Sequence, residues 1–130
     1  MLAVIAGAVT AQAVPAGYAI TTKTCDVPNA GTDANVEARL AGAGGLTEWI
    51  VLNHSGDDRE QGRFDTYSKT LQDVGPVIAI DLTFDNAGDS PHWCLEEVVI
   101  TGPHGTTTHP FHNWLTTKIT KSNPLRLLTA

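Results

Sequence analysis

Cationic side chains are scarce in this sequence. Eight Lys and Arg stand against fourteen Asp and Glu, a formal charge of -6, and they form no basic cluster. That balance excludes roles resting on bare attraction to nucleic acid or anionic lipid, although a bound cation could reverse the sign locally. No Gly-rich phosphate loop and no internal repeat is present, which removes the nucleotide-binding classes. No Gly-x-Ser-x-Gly elbow surrounds Ser55, Ser68, Ser90 or Ser122, and Asp57 and Asp58 are adjacent rather than set across a cleft, so neither a serine hydrolase nor a carboxylate pair is expected. His104, His109 and His112 fall on a turn and a strand, where no single face gathers them for zinc. No apolar run reaches the ~20 residues that a spanning helix requires.

What is present reads as one small β domain. Stretches with strand-like alternation or β-rich composition lie at 18–24, 36–40, 49–53, 64–69, 78–84 and 98–101, most of them bounded by Gly, Pro, Asn or Asp. Val36, Ala38 and Leu40 point one way and Glu37 and Arg39 the other, as in an antiparallel sheet with one wet side. Ile78, Ile80, Leu82 and Phe84 likewise share one face. Gly102-Pro103-His104-Gly105 predicts a tight turn into a strand at 106–111, since Pro presets the dihedral at the second turn position, and 125–129 supplies a last strand. The 130 residues suit a single domain over 17–130. Ahead of it, residues 1–13 form an apolar leader ending in Ala11-Gln12-Ala13, the Ala-x-Ala form read by signal peptidase. Cleavage after Ala13 and a secreted location are expected. Asn53-His54-Ser55 is an N-glycosylation sequon, relevant only to a secreted eukaryotic chain.

Two loops carry oxygen ligands. Asn29-Ala30-Gly31-Thr32-Asp33-Ala34-Asn35 runs straight into the alternating 36–40 segment, so Gly31 allows a bend while Asp33, the Thr32 hydroxyl and the Asn29 amide offer hard oxygens. Asn53, Gly56, Asp57 and Asp58 place two carboxylates on a second short connection. The competing interpretation is two solvated turns, because Asn, Gly and Asp are common in turns for reasons unrelated to metal.

Taken in order, these turns, the Trp49 before the acidic loop, Gly62-Arg63-Phe64-Asp65-Thr66-Tyr67, Phe84-Asp85-Asn86-Ala87-Gly88 and Pro91-His92-Trp93-Cys94 resemble the PLAT (LH2) family over about 17–115. The resemblance implies an all-β fold, a two-sheet antiparallel β-sandwich of about eight strands, with no active site of its own. It implies calcium held at weak affinity by Asn29, Gly31, Thr32, Asp33, Asn53, Asp57, Asp58 and Asp85, with Asn86 and His92 on the third loop. Asn29 and Asn53 stand where some members carry Asp, and the lower ligand charge suits extracellular calcium.

The implied partner is a lipid head group, with Trp93 and His92 at the lipid contact, or a protein docked on the same sandwich with calcium only structural. A stress-related extracellular protein whose ligand is not a membrane is a third reading. Trp49 is assigned to the core, and Trp114 is expected to close it with Phe111 and Leu115. Cys25 and Cys94 leave two states open, a bridge or two buried thiols. Those positions do not carry cysteine in the usual family pattern.

Overall fold

The computed structural model describes residues 14–53 and 58–130; the expected leader lies outside them. Nine strands appear among the described residues: β1 (Pro15–Thr24), β2 (Val36–Gly42), β3 (Gly45–Leu46), β4 (Ile50–Val51), β5 (Phe64–Gln72), β6 (Val77–Phe84), β7 (Trp93–Gly102), β8 (Gly105–Leu115) and β9 (Leu125–Leu128). They form two antiparallel sheets. One runs β5-β1-β7-β8, and the other β3-β2-β6-β9 with β4 also paired to β2. Every ladder is antiparallel.

The period-2 pattern of the sequence becomes the core directly. Tyr18 and Ile20 of β1, Val36, Ala38 and Leu40 of β2, Ile80, Leu82 and Phe84 of β6, and Leu95, Val98 and Ile100 of β7 meet between the sheets. The β7–β8 hairpin turns through Pro103 and His104, with Gly102 opposite Gly105, where the sequence predicts it.

Three apolar side chains depart from expectation. Ile78 is half-exposed, because the β2–β6 register shifts beside it: Ala41 faces Ala79 but Gly42 faces Val77. The bulge turns Val77 inward and Ile78 out. Trp49 lies just outside β4, partly exposed, with the Arg39 guanidinium 4.6 Å and the Lys121 ammonium 5.9 Å from its ring centroid. It is a cation–π platform rather than core. Trp114 pairs with Cys94 on the outward face and is 39% exposed, while Leu115, one residue on, is the one that closes the core.

The three histidines are dispersed. His104 pairs with Asp73 at 2.9 Å and His112 with Glu96 at 3.3 Å. His109 is fully buried, its Nδ1 2.9 Å from the Leu127 carbonyl oxygen and its Nε2 2.8 Å from the Thr107 hydroxyl. A proton on Nδ1 lets the ring donate to Leu127 and accept from Thr107. Burial pushes this imidazole below its ordinary range, and the Leu127 bond opposes that only in part. Because the folded value is depressed, the unfolded chain takes the proton first. Stability is therefore full above an unfolded pKa of about 6.5 and falls as pH drops below it. Thermal melts should fall between about pH 7 and pH 5 by up to about 1.4 kcal/mol per pH unit from this group. His109→Gln should melt lower at neutral pH and show a flatter acid limb; an acid limb as steep as the wild type would assign the loss to other groups.

Candidate functional site

At one end of the sandwich three connections converge. The 25–35 turn leaves β1, the 52–63 connection enters β5, and the 85–92 loop joins β6 to β7. Their backbones bond to one another and to β2: the Thr32 N–H donates to the Arg59 carbonyl at 3.1 Å, the Asp33 N–H to the Ser90 carbonyl at 3.1 Å, and the Leu52 N–H to the carbonyl of Val36 at the start of β2 at 2.9 Å. Glycine makes the approach. A Cβ on Gly31 would stand 2.7 Å from the Arg59 carbonyl oxygen, and one on Gly88, at φ +99°, would stand 2.8 Å from the Asp33 Cβ. Both are closer than a side chain tolerates, so these positions let the loops close.

The result is a polar cleft of about 240 Å³ lined by Thr32, Asp33, Asn53, Asp58 and Glu60, with Val51 on its wall. Asp33, Asn53 and Glu60 are exposed and Asp58 is partly so. These oxygens are the hard donors that suit calcium. Glu60 is the ligand candidate that sequence reasoning missed, since only the tertiary contact with Gly31 brings it to the cleft.

The other predicted ligands are placed differently. The Thr32 hydroxyl is buried, donates to the Pro91 carbonyl and accepts from the Ala34 N–H at 2.9 Å. It closes the turn. Asn29, at φ 63°, lines an adjoining cleft with Gly31 and Gln61 that shares Thr32, Asp33 and Glu60 with the first. Gly31 contributes close approach. Asp85 borders a neighbouring groove, and its two oxygens accept from the Asn35 N–H at 2.8 Å, the Asn35 side-chain amide at 2.7 Å and the Ala87 N–H at 3.1 Å. Burial alone would raise the Asp85 pKa, but these donors, with Lys118, outweigh it and hold the carboxyl below its usual range. Asp57 lies outside the described residues, as do His54 and Ser55 of the sequon.

Two predicted lipid contacts separate. His92 is exposed on the third loop. Trp93 is fully buried between the sheets, its indole N–H donating to the Thr24 hydroxyl at 2.9 Å. It opens β7 opposite Leu115, on the inward side of the alternation, so it cannot reach a lipid. Exposed apolar side chains on segments flanking the cleft are instead Val27, Val51 and Phe64.

Behind the cleft, Cys25 and Cys94 are joined by a disulfide. The Cys25 N–H donates to the Cys94 carbonyl and the Cys94 N–H to the Ala30 carbonyl, so the bridge ties the base of the first turn to β7. As a test of fit for calcium, the donor chemistry suits the ion, but among the described residues no group of three His, Cys, Asp or Glu is placed to hold one metal. Asn53 and backbone carbonyls would have to complete a shell.

The family model described as PLAT/LH2 domain matches residues 18–126. The chain belongs to this family. This PLAT domain is 33% identical over 102 residues to human lipoxygenase homology domain-containing protein 1, covering 75% of this chain and 5% of that protein. It superposes with a TM-score of 0.75 on a coral 8R-lipoxygenase, described with calcium activation via a C2-like domain, at 27% identity over 88% of this chain and 17% of the other. A calcium-dependent 11R-lipoxygenase matches at 30% identity and a TM-score of 0.66, again over 88% of this chain and 17% of the other. The chain thus corresponds to a module-sized part of much longer proteins.

Proposed function

We propose that this PLAT domain is a non-catalytic module of an extracellular protein that attaches to a lipid surface with the help of calcium. The observation that carries this reading is the convergence of Asp33, Asn53, Asp58 and Glu60 on one polar cleft at the loop end, with exposed Val51 on its wall. The calcium dependence in the descriptions of two lipoxygenases that share the fold at 27% and 30% identity supports it. The disulfide supports an oxidising compartment. Bound in the cleft, calcium would supply the positive charge that a chain of formal charge -6 lacks for a phosphate head group. Asp33 and Asp58 would hold it by carboxylate oxygens, Asn53 would add a neutral one, and Val51 would follow into the apolar boundary.

Liposome flotation with neutral and anionic vesicles, in millimolar calcium or in chelator, tests this. Flotation should require calcium, and Asp33→Ala should raise the calcium midpoint roughly tenfold by removing ligand charge. No flotation in any condition would sink the lipid reading.

One observation favours protein docking as the second reading. Leu46, Ala41, Ala79 and Leu128 form a row across the outer face of the second sheet, and Leu46, Leu128 and the bulged Ile78 leave apolar surface exposed there. Loss of flotation combined with stable capture of a protein through that row would move the function to docking.

A further inference from the structure

The most unusual group at the loop end is a buried cation. Arg59 is 5% exposed and sits at φ 58°. Its guanidinium lies in a cage of oxygens. Nη1 donates to the Leu52 carbonyl at 2.6 Å, to Asp58 Oδ2 at 3.1 Å and to the Tyr67 hydroxyl at 3.1 Å, and Nη2 donates to the Ala34 carbonyl at 3.1 Å. The Tyr67 hydroxyl in turn donates to Asp58 Oδ2 at 3.1 Å. The Arg59 backbone N–H donates to Asp65 Oδ2 at 2.7 Å, and its carbonyl accepts from Thr32. Two backbone carbonyls, a carboxylate and a hydroxyl are the kinds of oxygen that would surround a hard metal ion. Here a side chain of this protein supplies the charge.

Arg59 joins two segments that build the cleft wall to the strand behind them: Ala34 lies in the first turn, Leu52 precedes Asn53, and Tyr67 stands on β5, outside the cleft lining. Buried ionic networks of this type fix geometry more than they add stability, because the charges must be desolvated. Tyr67 is a protonated phenol at neutral pH, and burial raises its pKa further against the opposing pull of Arg59. It can therefore donate to Asp58 while accepting from Arg59.

We propose that Arg59 is an internal cation that locks the loop end in its ligand-presenting arrangement before any metal arrives, acting as a positioning residue for Asp33, Asn53 and Asp58. The lock is present with or without calcium; its role for a metal rests on the calcium reading above.

Native-state hydrogen exchange in chelator, comparing the wild type with Arg59→Gln, tests the lock without needing calcium to bind. The amides of Thr32, Ala34 and Leu52 should exchange at least about tenfold faster in the variant while β7 amides keep their protection, the signature of local opening. Unchanged rates, or an equal acceleration throughout the sandwich, would overturn the proposal. Should Arg59→Gln fail to fold, Tyr67→Phe removes one oxygen of the cage, leaves the charge in place and should show the same pattern at smaller amplitude. Millimolar calcium then separates the two ideas. If the lock and the calcium reading both hold, calcium slows exchange at these three amides in Arg59→Gln more than in the wild type. Fast local exchange in the variant, with calcium slowing these amides in neither protein, would leave the lock standing and remove the calcium reading.

Discussion

Trp93→Ala is expected to destabilise the whole domain by about 3–5 kcal/mol rather than to weaken lipid binding selectively. The indole is fully buried between β7 and the opposite sheet, so truncation leaves a cavity that a two-layer sandwich can fill only by shifting strands. It also removes the donor to the Thr24 hydroxyl, and an unsatisfied buried group adds to the cost. Set against a typical domain stability of roughly 5–15 kcal/mol, the loss is a large share of what holds the fold. Denaturant melts should show a large fall in midpoint for Trp93→Ala and a smaller one for Trp93→Phe, which keeps most of the volume but loses the N–H and part of the ring system. A Trp93→Ala protein that melts with the wild type yet no longer binds vesicles would restore the indole to the lipid surface. Val51→Asp, on the cleft wall and 53% exposed, is the substitution that probes apolar contact without touching the core.

The second large effect belongs to the disulfide. Cys25 and Cys94 are separated by 69 positions, and closing a loop of that length removes about 4 kcal/mol of unfolded-chain entropy in the chain-entropy model. For a domain of this size that corresponds to a fall of roughly 12–20 °C in melting temperature on reduction or in Cys25→Ala/Cys94→Ala. The loss should be felt first at the 25–35 turn, because the bridge anchors its base to β7 beside the Cys94–Ala30 backbone bond. On the proposed calcium reading, calcium binding should weaken along with stability. Equal melting temperatures for the oxidised protein and the double variant would show that the bridge adds nothing to the fold.

The fold was legible because it is written locally. Alternation in 36–40 and at Ile80, Leu82 and Phe84 has a period that only a half-buried strand uses, and the Gly-Pro-His-Gly turn sets the β7–β8 hairpin by its own dihedrals. The misreadings lie where one residue of register matters. Ile78 follows the same alternation as Ile80, but the bulge opposite Ala41 reverses it. The neighbours Trp93 and Cys94 face opposite sides of β7, and no local signal says which side is core; pairing with Leu115 and Trp114 decides. Trp49 reads as core by hydrophobicity, yet cations cover it, Arg39 from the paired strand β2 and Lys121 from a position far away in sequence.

The candidate site divides the same way. Asp33, Asn53 and Asp58 were legible as oxygen-bearing loop residues, whereas Glu60 became a neighbour only through the close approach at Gly31. Asp85 looked equivalent to them by residue type, but Asn35 engages both of its oxygens. Arg59 follows Asp57 and Asp58 in sequence and nothing local marks it for burial; only the fold sets it among four oxygens.

The sequence by itself determined the all-β class, most of the strands and the loops that bear oxygen ligands, because side-chain alternation and turn chemistry act between residues close along the chain. The tertiary structure alone decided which tryptophan is buried, that Cys25 meets Cys94, and which oxygens share a cleft, because each of those depends on contacts between segments whose distance in sequence says nothing about their distance in space.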